Sequence, residues 1–504
     1  MTRQPPKTIQ EYIDECPTWS DGTPVSSAPM TTMQWRIWWL ASAGKFFEGM
    51  VVFMMGVALP LVTLEFNLSA VQKGMLGAAS LFGILIGATA LGGLADRFGR
   101  RTMFICGMAL FIFFLILVAW SPNFPWLVIC LFGVGMSLGC DYPTAHLVIS
   151  ESMPSSARGR LVLSAFGFQA IGAIAGTGVG LLVLQSKESV ADWRLMYASA
   201  IIPASLVLLG RFFVPQSGHW LVSKKRIAEA EQATAALLRR MPPYPQSIRL
   251  TAPHHDAPEH ARNQTPRYKS LFSKEHRSAT LFASVPWFLQ DLGTYGIGIF
   301  TPVILATTIG MKSAPARNLA ELIQGDILVA RGTALIDILL LAGIIFAVLL
   351  ADKVGRIRLQ AFGFLGCAAG LFLASLSVYY DGATKLFFIF SGFMLFNFMT
   401  NLGPNAMTYL IAGEVFPTHI RGTGAGFAAS FAKIGAVLTS FLFPILLKDL
   451  GTVTLLYILI GTSLLGAFVT WRFGIETAGL NLETIGQGSP AVTEPPIQLS
   501  VTPD

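Results

Sequence analysis

Long apolar segments alternate with short polar loops along almost the whole chain. Twelve segments have the roughly 20 apolar residues that a helix needs to cross the hydrocarbon core of a bilayer. These segments cover residues 37–63, 75–95, 101–120, 125–149, 161–184, 194–214, 279–308, 331–351, 358–379, 385–411, 423–447 and 452–472. The pattern predicts an all-α membrane protein with twelve transmembrane helices, and an even number of spans places both termini on one side.

A polar stretch rich in Lys, Arg, Pro and His separates the first six spans from the last six. We predict a cytosolic N-terminal tail over 1–34, a six-helix bundle over 35–214, a cytosolic central loop over 215–278, a second six-helix bundle over 279–474 and a cytosolic C-terminal tail over 475–504. The tail before the first span contains several prolines and is expected to be partly disordered. The first part of the central loop has helical spacing, and its second part is expected to be a flexible linker.

Composition supports a membrane protein, because 53% of the 504 residues are hydrophobic and only 12% are charged, against about 25% charged in soluble domains. The net charge of +7 fits basic cytoplasmic loops better than a nucleic-acid partner. Five cysteines without regular spacing predict neither a metal site nor a disulfide framework. No cofactor is expected, and no cleavable signal peptide is visible. We therefore expect a multi-pass protein of a bacterial inner membrane or a plasma membrane, with both termini cytoplasmic.

Two loop motifs occur once in each half, roughly 260 residues apart. The loop after span 2 has the form acid, base, any residue, Gly, Arg, and the loop after span 8 repeats it. Spans 4 and 10 each end in a Glu followed at fixed spacing by Pro, Arg and Gly. The charged members are Asp96, Arg97, Arg100, Glu151 and Arg158 in the first half, and Asp352, Arg356, Glu414 and Arg421 in the second. Internal duplication of this kind is typical of transporters, and these charges could latch the cytoplasmic side in one state or simply anchor the topology.

Ionisable residues inside apolar spans are costly and are treated as candidate functional residues. They are Lys45, Glu48, Asp141, His146, Asp291, Asp337 and Lys433. In span 7, Trp287, Asp291 and Tyr295 recur every four residues and so share one helix face. Lys45 is three residues before Glu48, a spacing that allows the two side chains to pair. His146 could equally be a packed or interfacial histidine.

Spans 4, 5 and 10 add further polar candidates. In span 4, Pro143 is expected to remove a helical hydrogen bond and to kink the helix near Asp141. Gln169 in span 5 and Asn405 in span 10 supply amide groups, and the Gly403-Pro404 pair marks an expected irregularity in span 10. Burial of Asp141 and Glu48 makes them the best candidate proton carriers, since desolvation favours the neutral acid.

The loop motifs resemble those of the major facilitator superfamily, over about residues 35 to 485. Gly-x-Asp-Tyr-Pro in span 4, Trp-Phe-Leu-x-Asp-x-x-x-Tyr-Gly in span 7 and Gly-Pro-Asn in span 10 resemble the phosphate:proton and metabolite:proton symporter branch. The resemblance implies two six-helix bundles with a solute site between them. It also implies that the solute is bound by Tyr142, Gln169, Trp287, Asp291, Tyr295, Asn405 and Lys433, with Asp141 and Lys433 in the proton and charge machinery.

The chain departs from that family's pattern in three places. Relatives often carry two acids in span 1, whereas this chain has Glu48 followed by Val51. Span 4 continues with Thr144-Ala145-His146 where a leucine-serine pattern is usual, and the sequence from Pro215 to Leu221 is an altered form of Pro-Glu-Ser-Pro-Arg-Trp-Leu. These changes bear on the solute more than on the scaffold.

We therefore predict proton-coupled symport of a small polar or anionic solute, with inorganic phosphate as the first candidate. An organic acid, an aromatic acid or a sugar-like metabolite is the alternative solute. A nutrient sensor that binds solute without moving it is the alternative from another class. No enzyme motif is visible. The expected partners are the solute, protons and the bilayer, with no nucleic acid and no required oligomer.

Overall fold

The computed structural model describes most of the chain. The described residues are 7–15, 30–91, 94–186, 189–239, 248–250, 268–308, 319–417 and 420–477. Within these ranges the chain is helical apart from turns, loops and one isolated bridge between Lys7 and Leu250. The predicted C-terminal tail beyond residue 477 and most of the second part of the central loop lie outside the described residues.

Among the described residues, twelve α-helices precede the second half of the chain. In order they are α1 (Ile9–Asp14), α2 (Thr32–Phe66), α3 (Ala70–Ile86), α4 (Leu94–Phe98), α5 (Arg100–Ala119), α6 (Phe124–Ser152), α7 (Arg158–Phe166), α8 (Phe168–Ser186), α9 (Trp193–Ser199), α10 (Ile201–Arg211), α11 (Gly218–Ser223) and α12 (Ile227–Leu237). Helix α3 continues into a π-helical turn, α7 and α8 together form one span, and α9 and α10 together form another. The first half therefore contains six spans, as predicted.

The described residues of the second half form six α-helices. They are α13 (Arg277–Thr308), α14 (Leu319–Val354), α15 (Arg356–Ser375), α16 (Gly382–Leu402), α17 (Pro404–Glu414) and α18 (Arg421–Phe473). Within the described residues, eleven helical segments are long and apolar enough to cross a membrane. The last of them, in α18, has a non-helical residue at Gly451 and so comprises two spans. This gives twelve spans and confirms the predicted all-α membrane architecture.

Span 10 is interrupted where the sequence predicted an irregularity. Gly403 has φ −116° and ψ −92° and separates α16 from α17. Because Pro404 lacks an amide hydrogen, it suits the first position of α17. By contrast, α6 runs without a break through Pro143. The predicted irregularity is therefore confirmed for span 10, whereas the predicted kink at Pro143 stays a prediction.

Side chains close the exposed ends of several helices. Thr31 and Gln34 form a reciprocal capping box at the start of α2, and Ser69 and Gln72 form another at the start of α3. The Asn123 side chain accepts a hydrogen bond from the Trp126 amide at the start of α6. These bonds pair amides that have no partner inside the helix. Polar residues between the apolar runs thus fix where the spans begin.

Small residues bring the helices together within each half and between the halves. Helices α2 and α8 pack through Gly49, Gly172 and Gly176, each of which lies against a main-chain carbonyl of the other helix. Between the halves, Gly56 on α2 packs on the carbonyl of Ile299, and Gly74 on α3 packs on that of Phe441. The most enclosed spans are α2 and α13. Side chains on these two helices therefore have the best access to the centre of the molecule.

The N-terminal segment is more ordered than the sequence suggested. Residues 9–14 form α1, in which Ile9, Tyr12 and Ile13 are buried in one cluster with Trp220 of α11. Asp14 accepts hydrogen bonds from the amide and hydroxyl of Ser155, both 2.7 Å, in the loop after α6. The sequence analysis did not predict this helix, whose apolar face packs on the helical part of the central loop; partial disorder of the tail stays a prediction. Residues 1–6 and 16–29 lie outside the described residues.

Candidate functional site

A buried network of charged and hydroxyl groups joins the two halves at the centre of the molecule. Glu48 on α2 pairs with Lys45 at 2.5 Å, which confirms the contact predicted from their spacing. From the second half, the Tyr295 hydroxyl donates to Glu48 at 2.9 Å, and Lys433 Nζ lies 3.8 Å from the same carboxylate oxygen. Gln169 on α8 donates to the Tyr295 hydroxyl at 3.2 Å. Glu48 therefore receives groups from both halves.

Asp291 enters this network through Lys433. Lys433 Nζ on α18 donates to Asp291 Oδ2 at 3.2 Å and to the Tyr295 hydroxyl at 2.7 Å. Asp291 and Tyr295 lie one turn apart on α13, as the predicted shared face requires. They are 1% and 2% exposed, and Glu48 is 4% exposed. These charges interact in a medium that screens them much less than water does.

Aromatic rings form one wall beside the network. Tyr409 on α17 stacks on Phe166 of the first half, with ring centroids 4.6 Å apart. Its centroid also lies 5.9 Å from that of Tyr142 and 6.2 Å from that of Trp287. Lys45 Nζ lies 4.1 Å from the Tyr142 ring centroid, within the range of a cation–π contact. Sequence reasoning missed Tyr409 and Phe166, since nothing in their local pattern separates them from packed aromatic residues.

A small cavity lies between these rings and the acidic network. Its volume is about 20 Å³, and Lys45, Glu48, Tyr142 and Tyr409 are among the residues that line it. This is roughly the space of one water molecule. In this structure the cavity is therefore too small for a solute much larger than water.

Amides and hydroxyls form a second polar cluster within the second half. Gln290 Nε2 donates to Asn405 Oδ1 at 3.0 Å and to Thr294 Oγ1 at 2.7 Å. Asn405 in turn donates to Asn401 Oδ1 at 2.6 Å. The Gln290 Oε1 atom is buried and has no hydrogen-bond partner among the described residues. Asn405 is thus held by Gln290 and Asn401 and forms no hydrogen bond to Asp291 or Lys433.

Asp141 is paired with a residue that the sequence analysis overlooked. Arg211, at the end of α10, donates to both carboxylate oxygens of Asp141, one bond being 2.9 Å long, and both side chains are buried. Arg211 also donates to the carbonyls of Phe104 at 2.7 Å and Leu40 at 3.1 Å. The sequence does contain a signal for Arg211, because this charged residue interrupts an apolar run. Asp141 borders the central cavity but has no hydrogen bond to the Glu48 network.

The duplicated loop motifs form matching charge pairs, one within each half. Arg100 donates to Glu151 at 3.1 Å and to the Ala95 carbonyl at 2.9 Å. In the second half, Arg356 donates to Glu414 at 3.3 Å and to the Ala351 carbonyl at 3.1 Å. A hydroxyl completes each pair, Ser217 with Glu151 at 2.5 Å and Thr477 with Glu414 at 2.6 Å.

The glycines of these motifs share one unusual backbone conformation. Gly99 has φ 96° and ψ 151°, and Gly355 has φ 96° and ψ 153°. This region is accessible essentially only to glycine. The sharp turn lets the following arginine fold back onto a carbonyl five residues earlier. Equal geometry at both loops shows that the repeat in sequence is a repeat in structure.

The other motif residues have separate positions. Asp352 pairs with Arg356 at 2.9 Å and lies 3.9 Å from Arg160, a contact between the halves whose two side chains are exposed. Arg97 is exposed, and Arg421 donates to the carbonyl of Phe416 at 3.1 Å. The Arg158 Nε atom is buried without a hydrogen-bond partner among the described residues. The Asp96 side chain lies outside the described part of the structure.

Comparisons with known proteins agree with this architecture. The family profile described as "Sugar (and other) transporter" matches residues 25–488. The chain is 29% identical to the "Probable inorganic phosphate transporter 1-6" of Arabidopsis thaliana, over 80% of this chain and 82% of that one. It is 28% identical to the "Inner membrane metabolite transport protein YgcS" of Escherichia coli, over 91% of this chain and 95% of that one. The solved proton:xylose symporter XylE, of the major facilitator superfamily, superposes with a TM-score of 0.71 at 21% identity, covering 90% of this chain and 98% of XylE.

Proposed function

We propose that this chain, which belongs to the sugar (and other) transporter family, carries a small anion across the membrane together with a proton, with inorganic phosphate as the first candidate. The family and the fold are those of multi-pass membrane transporters for sugars and other metabolites. The observation that carries the finer proposal is the network in which Lys45 and Lys433 flank the carboxylates of Glu48 and Asp291.

The charges of this network favour an anion that travels with a proton. With both lysines protonated and both carboxylates ionised, their charges sum to zero. One proton on either carboxylate leaves a net charge of +1 in an enclosed site, where an uncompensated charge is costly. A bound monoanion removes that charge. Proton and anion therefore stabilise each other in the closed site.

Asp291 is the carboxylate that gives up fewer contacts when it takes the proton. Lys433 is its one ionic partner among the described residues, whereas Glu48 contacts Lys45, Lys433 and Tyr295. We propose that Asp291 and Glu48 share proton coupling, that Lys433 and Tyr295 bind the anion, and that Tyr142, Gln169, Trp287 and Asn405 complete its surroundings. We also propose Asp141 as a proton carrier. A double variant that replaces Asp141 together with Arg211 tests this role separately from the loss of their ion pair.

An aromatic acid is the second candidate solute. Tyr142, Phe166, Trp287 and Tyr409 bring four rings to the side of the site that Lys45 borders. Planar rings with a nearby ammonium group suit a planar solute that carries a carboxylate. Phosphate has no ring that could pack against these side chains, so competition between solutes discriminates between the two candidates.

The proposed orientation places both termini and the duplicated loops in the cytoplasm. Basic residues concentrate in these loops, which carry Arg97, Arg100 and Arg101 in the first half and Lys353 and Arg356 in the second. Cytoplasmic loops of membrane proteins are enriched in Lys and Arg. Uptake into a cell would then run from the opposite end of the molecule toward these loops.

Uptake of labelled phosphate into proteoliposomes tests the proposal. We expect an inward proton gradient to drive accumulation, and Lys433→Gln to abolish it. Lys448→Gln is the matched control, because Lys448 is exposed on the same helix, α18. Unlabelled phosphate, benzoate and xylose are then added as competitors. Competition by benzoate alone would replace phosphate with an aromatic acid, and uptake that ignores the gradient would refute proton coupling.

A further inference from the structure

A second buried acid lies apart from the central network, on the contact surface between the halves. Asp337 is on α14 in the second half, and its carboxylate accepts a hydrogen bond of 2.9 Å from the Thr177 hydroxyl on α8 in the first half. Thr177 is completely buried and Asp337 is 1% exposed. We call this contact between α8 and α14 the seam. It joins the halves through one hydroxyl and one carboxyl group.

Asp337 has no cationic partner among the described residues, unlike Glu48, Asp141 and Asp291. The titratable side chains described on the helices packed against α14 are Arg36, Lys45, Glu48 and Glu65 on α2, Arg158 and Arg160 on α7, Arg277, Asp291 and Tyr295 on α13, Arg356, Arg358 and Cys367 on α15, Lys385 on α16, and Tyr409 and Glu414 on α17. Helix α8 carries none. None of these groups forms a hydrogen bond or ion pair with Asp337, whose one partner is Thr177.

Helix α14 is fixed to its own half at the level of Asp337. Asn397 and Asn401, both on α16, donate to the carbonyls of Ile336 at 3.4 Å and Leu340 at 2.8 Å. These two carbonyls flank Asp337 along α14. When the halves separate, α14 therefore moves with α16, and the bond from Thr177 to Asp337 is the one that breaks.

We propose that Asp337 is a second proton-binding site, which takes up a proton when the seam closes and releases it to water when the seam opens. An ionised carboxylate without a cation is strongly disfavoured in a site without water. The neutral acid can keep the contact, because a hydroxyl group both donates and accepts. In the open seam water solvates the carboxylate, and the proton returns to that water. The state of this one group is thereby tied to the position of the two halves.

The distance between spin labels at Ser186 and Leu328 tests the proposal in the full chain. Both positions are exposed and lie toward the ends of α8 and α14 opposite the loop motifs. Cys16 and Cys106 are first replaced by serine, and the labelled protein is held in lipid nanodiscs without solute. The closed seam gives a short distance between the labels and the open seam a longer one. We expect the population with the longer distance to grow as the pH rises from about 5.5 to 8.5. A label pair at Leu64 and Ser186, both in the first half, should not change.

Two variants have opposite expected effects. Asp337→Asn mimics the neutral acid and should hold the short distance at every pH. Thr177→Val removes the partner of the closed state, so the open-to-closed ratio should rise about two- to tenfold, as expected for one hydrogen bond. Thr333→Val is the matched control, because the buried Thr333 hydroxyl lies on α14, the helix of Asp337, and donates to the Val329 carbonyl at 3.0 Å within that helix.

Two results would overturn the proposal. One is a distance between the labels at Ser186 and Leu328 that does not change with pH when Asp337 and Thr177 are both present. The other is a pH response in Asp337→Asn equal to that of the parent. If Asp337→Asn fails to fold, Thr177→Val still decides, since an unchanged ratio contradicts the seam contact. The inference rests on the proton coupling proposed above, but the two can fail separately. Phosphate uptake that ignores the proton gradient, with a seam that responds to pH, refutes the proposed symport and retains the site at Asp337.

Discussion

Replacing Arg211 by methionine should destabilise the first half more than any change at its surface. Methionine keeps much of the length of the side chain but cannot donate the four hydrogen bonds that Arg211 makes to Asp141, Phe104 and Leu40. Asp141 would remain a buried carboxylate without its cation. Loss of one member of a buried pair costs about 3–5 kcal/mol of unfolding free energy. A domain of about 150–250 residues, the size of the first half, loses roughly 2–4 °C in Tm for each kcal/mol. We therefore expect Tm to fall by about 10 °C.

Thermal unfolding of the full chain in detergent measures this effect. Arg194→Met is the control, because Arg194 pairs with Glu65 at 2.7 Å in a partly exposed position, where a pair contributes about 0–1 kcal/mol. The double variant Arg211→Met, Asp141→Leu should recover most of the stability, since apolar side chains replace buried pairs well. A single variant no worse than the control, or a double variant as unstable as the single one, would refute the reasoning. The double variant also separates functions: if it is stable and still coupled to protons, Asp141 is not a proton carrier.

Two further changes test the site and the repeated loops. Tyr295→Phe removes the hydroxyl that donates to Glu48 of the first half and accepts from Lys433. Binding of phosphate, the proposed solute, should then weaken about tenfold or more when it is measured by calorimetry. Tyr457→Phe, at a partly exposed ring, should leave binding unchanged. Gly355→Ala forces a side chain into a backbone region that only glycine occupies, at a cost of about 1–3 kcal/mol, which lowers Tm. Gly413→Ala, inside α17 with open space at the new methyl group, should not lower it.

Features that depend on one helix or one loop could be predicted from the sequence. The apolar lengths gave the twelve spans, and the four-residue spacing on α13 put Asp291 and Tyr295 on one face. The spacing of Lys45 and Glu48 gave their ion pair. Each of these follows from helix geometry alone, without knowledge of the neighbouring helices. The duplicated loops were predictable for the same reason, since a repeated sequence repeats its local fold.

Features that depend on which helices are neighbours could not be predicted in this way. Arg211 and Asp141 are 70 residues apart, and Thr177 and Asp337 are 160 apart. Periodicity within a helix does not say which other helix its polar face meets. The docking of α1 on α11 has the same origin, because a short amphipathic stretch reads as a tail until its partner surface is known. Lone charges in apolar runs are the usable signal, and Arg211 and Asp337 were both visible in that form.

The buried acids divide according to their partners, and this division suggests separate tasks. Glu48 and Asp291 each contact a lysine, so a proton taken up there frees a positive charge that an anion can neutralise. Asp337 contacts only a hydroxyl group within the described structure, so its proton frees no charge for a solute. Under the two proposals, a proton at the central network favours anion binding, whereas a proton at Asp337 favours closure of the seam whether or not a solute is present. Changes at the first site should alter affinity, and changes at the second should alter the pH at which the halves separate.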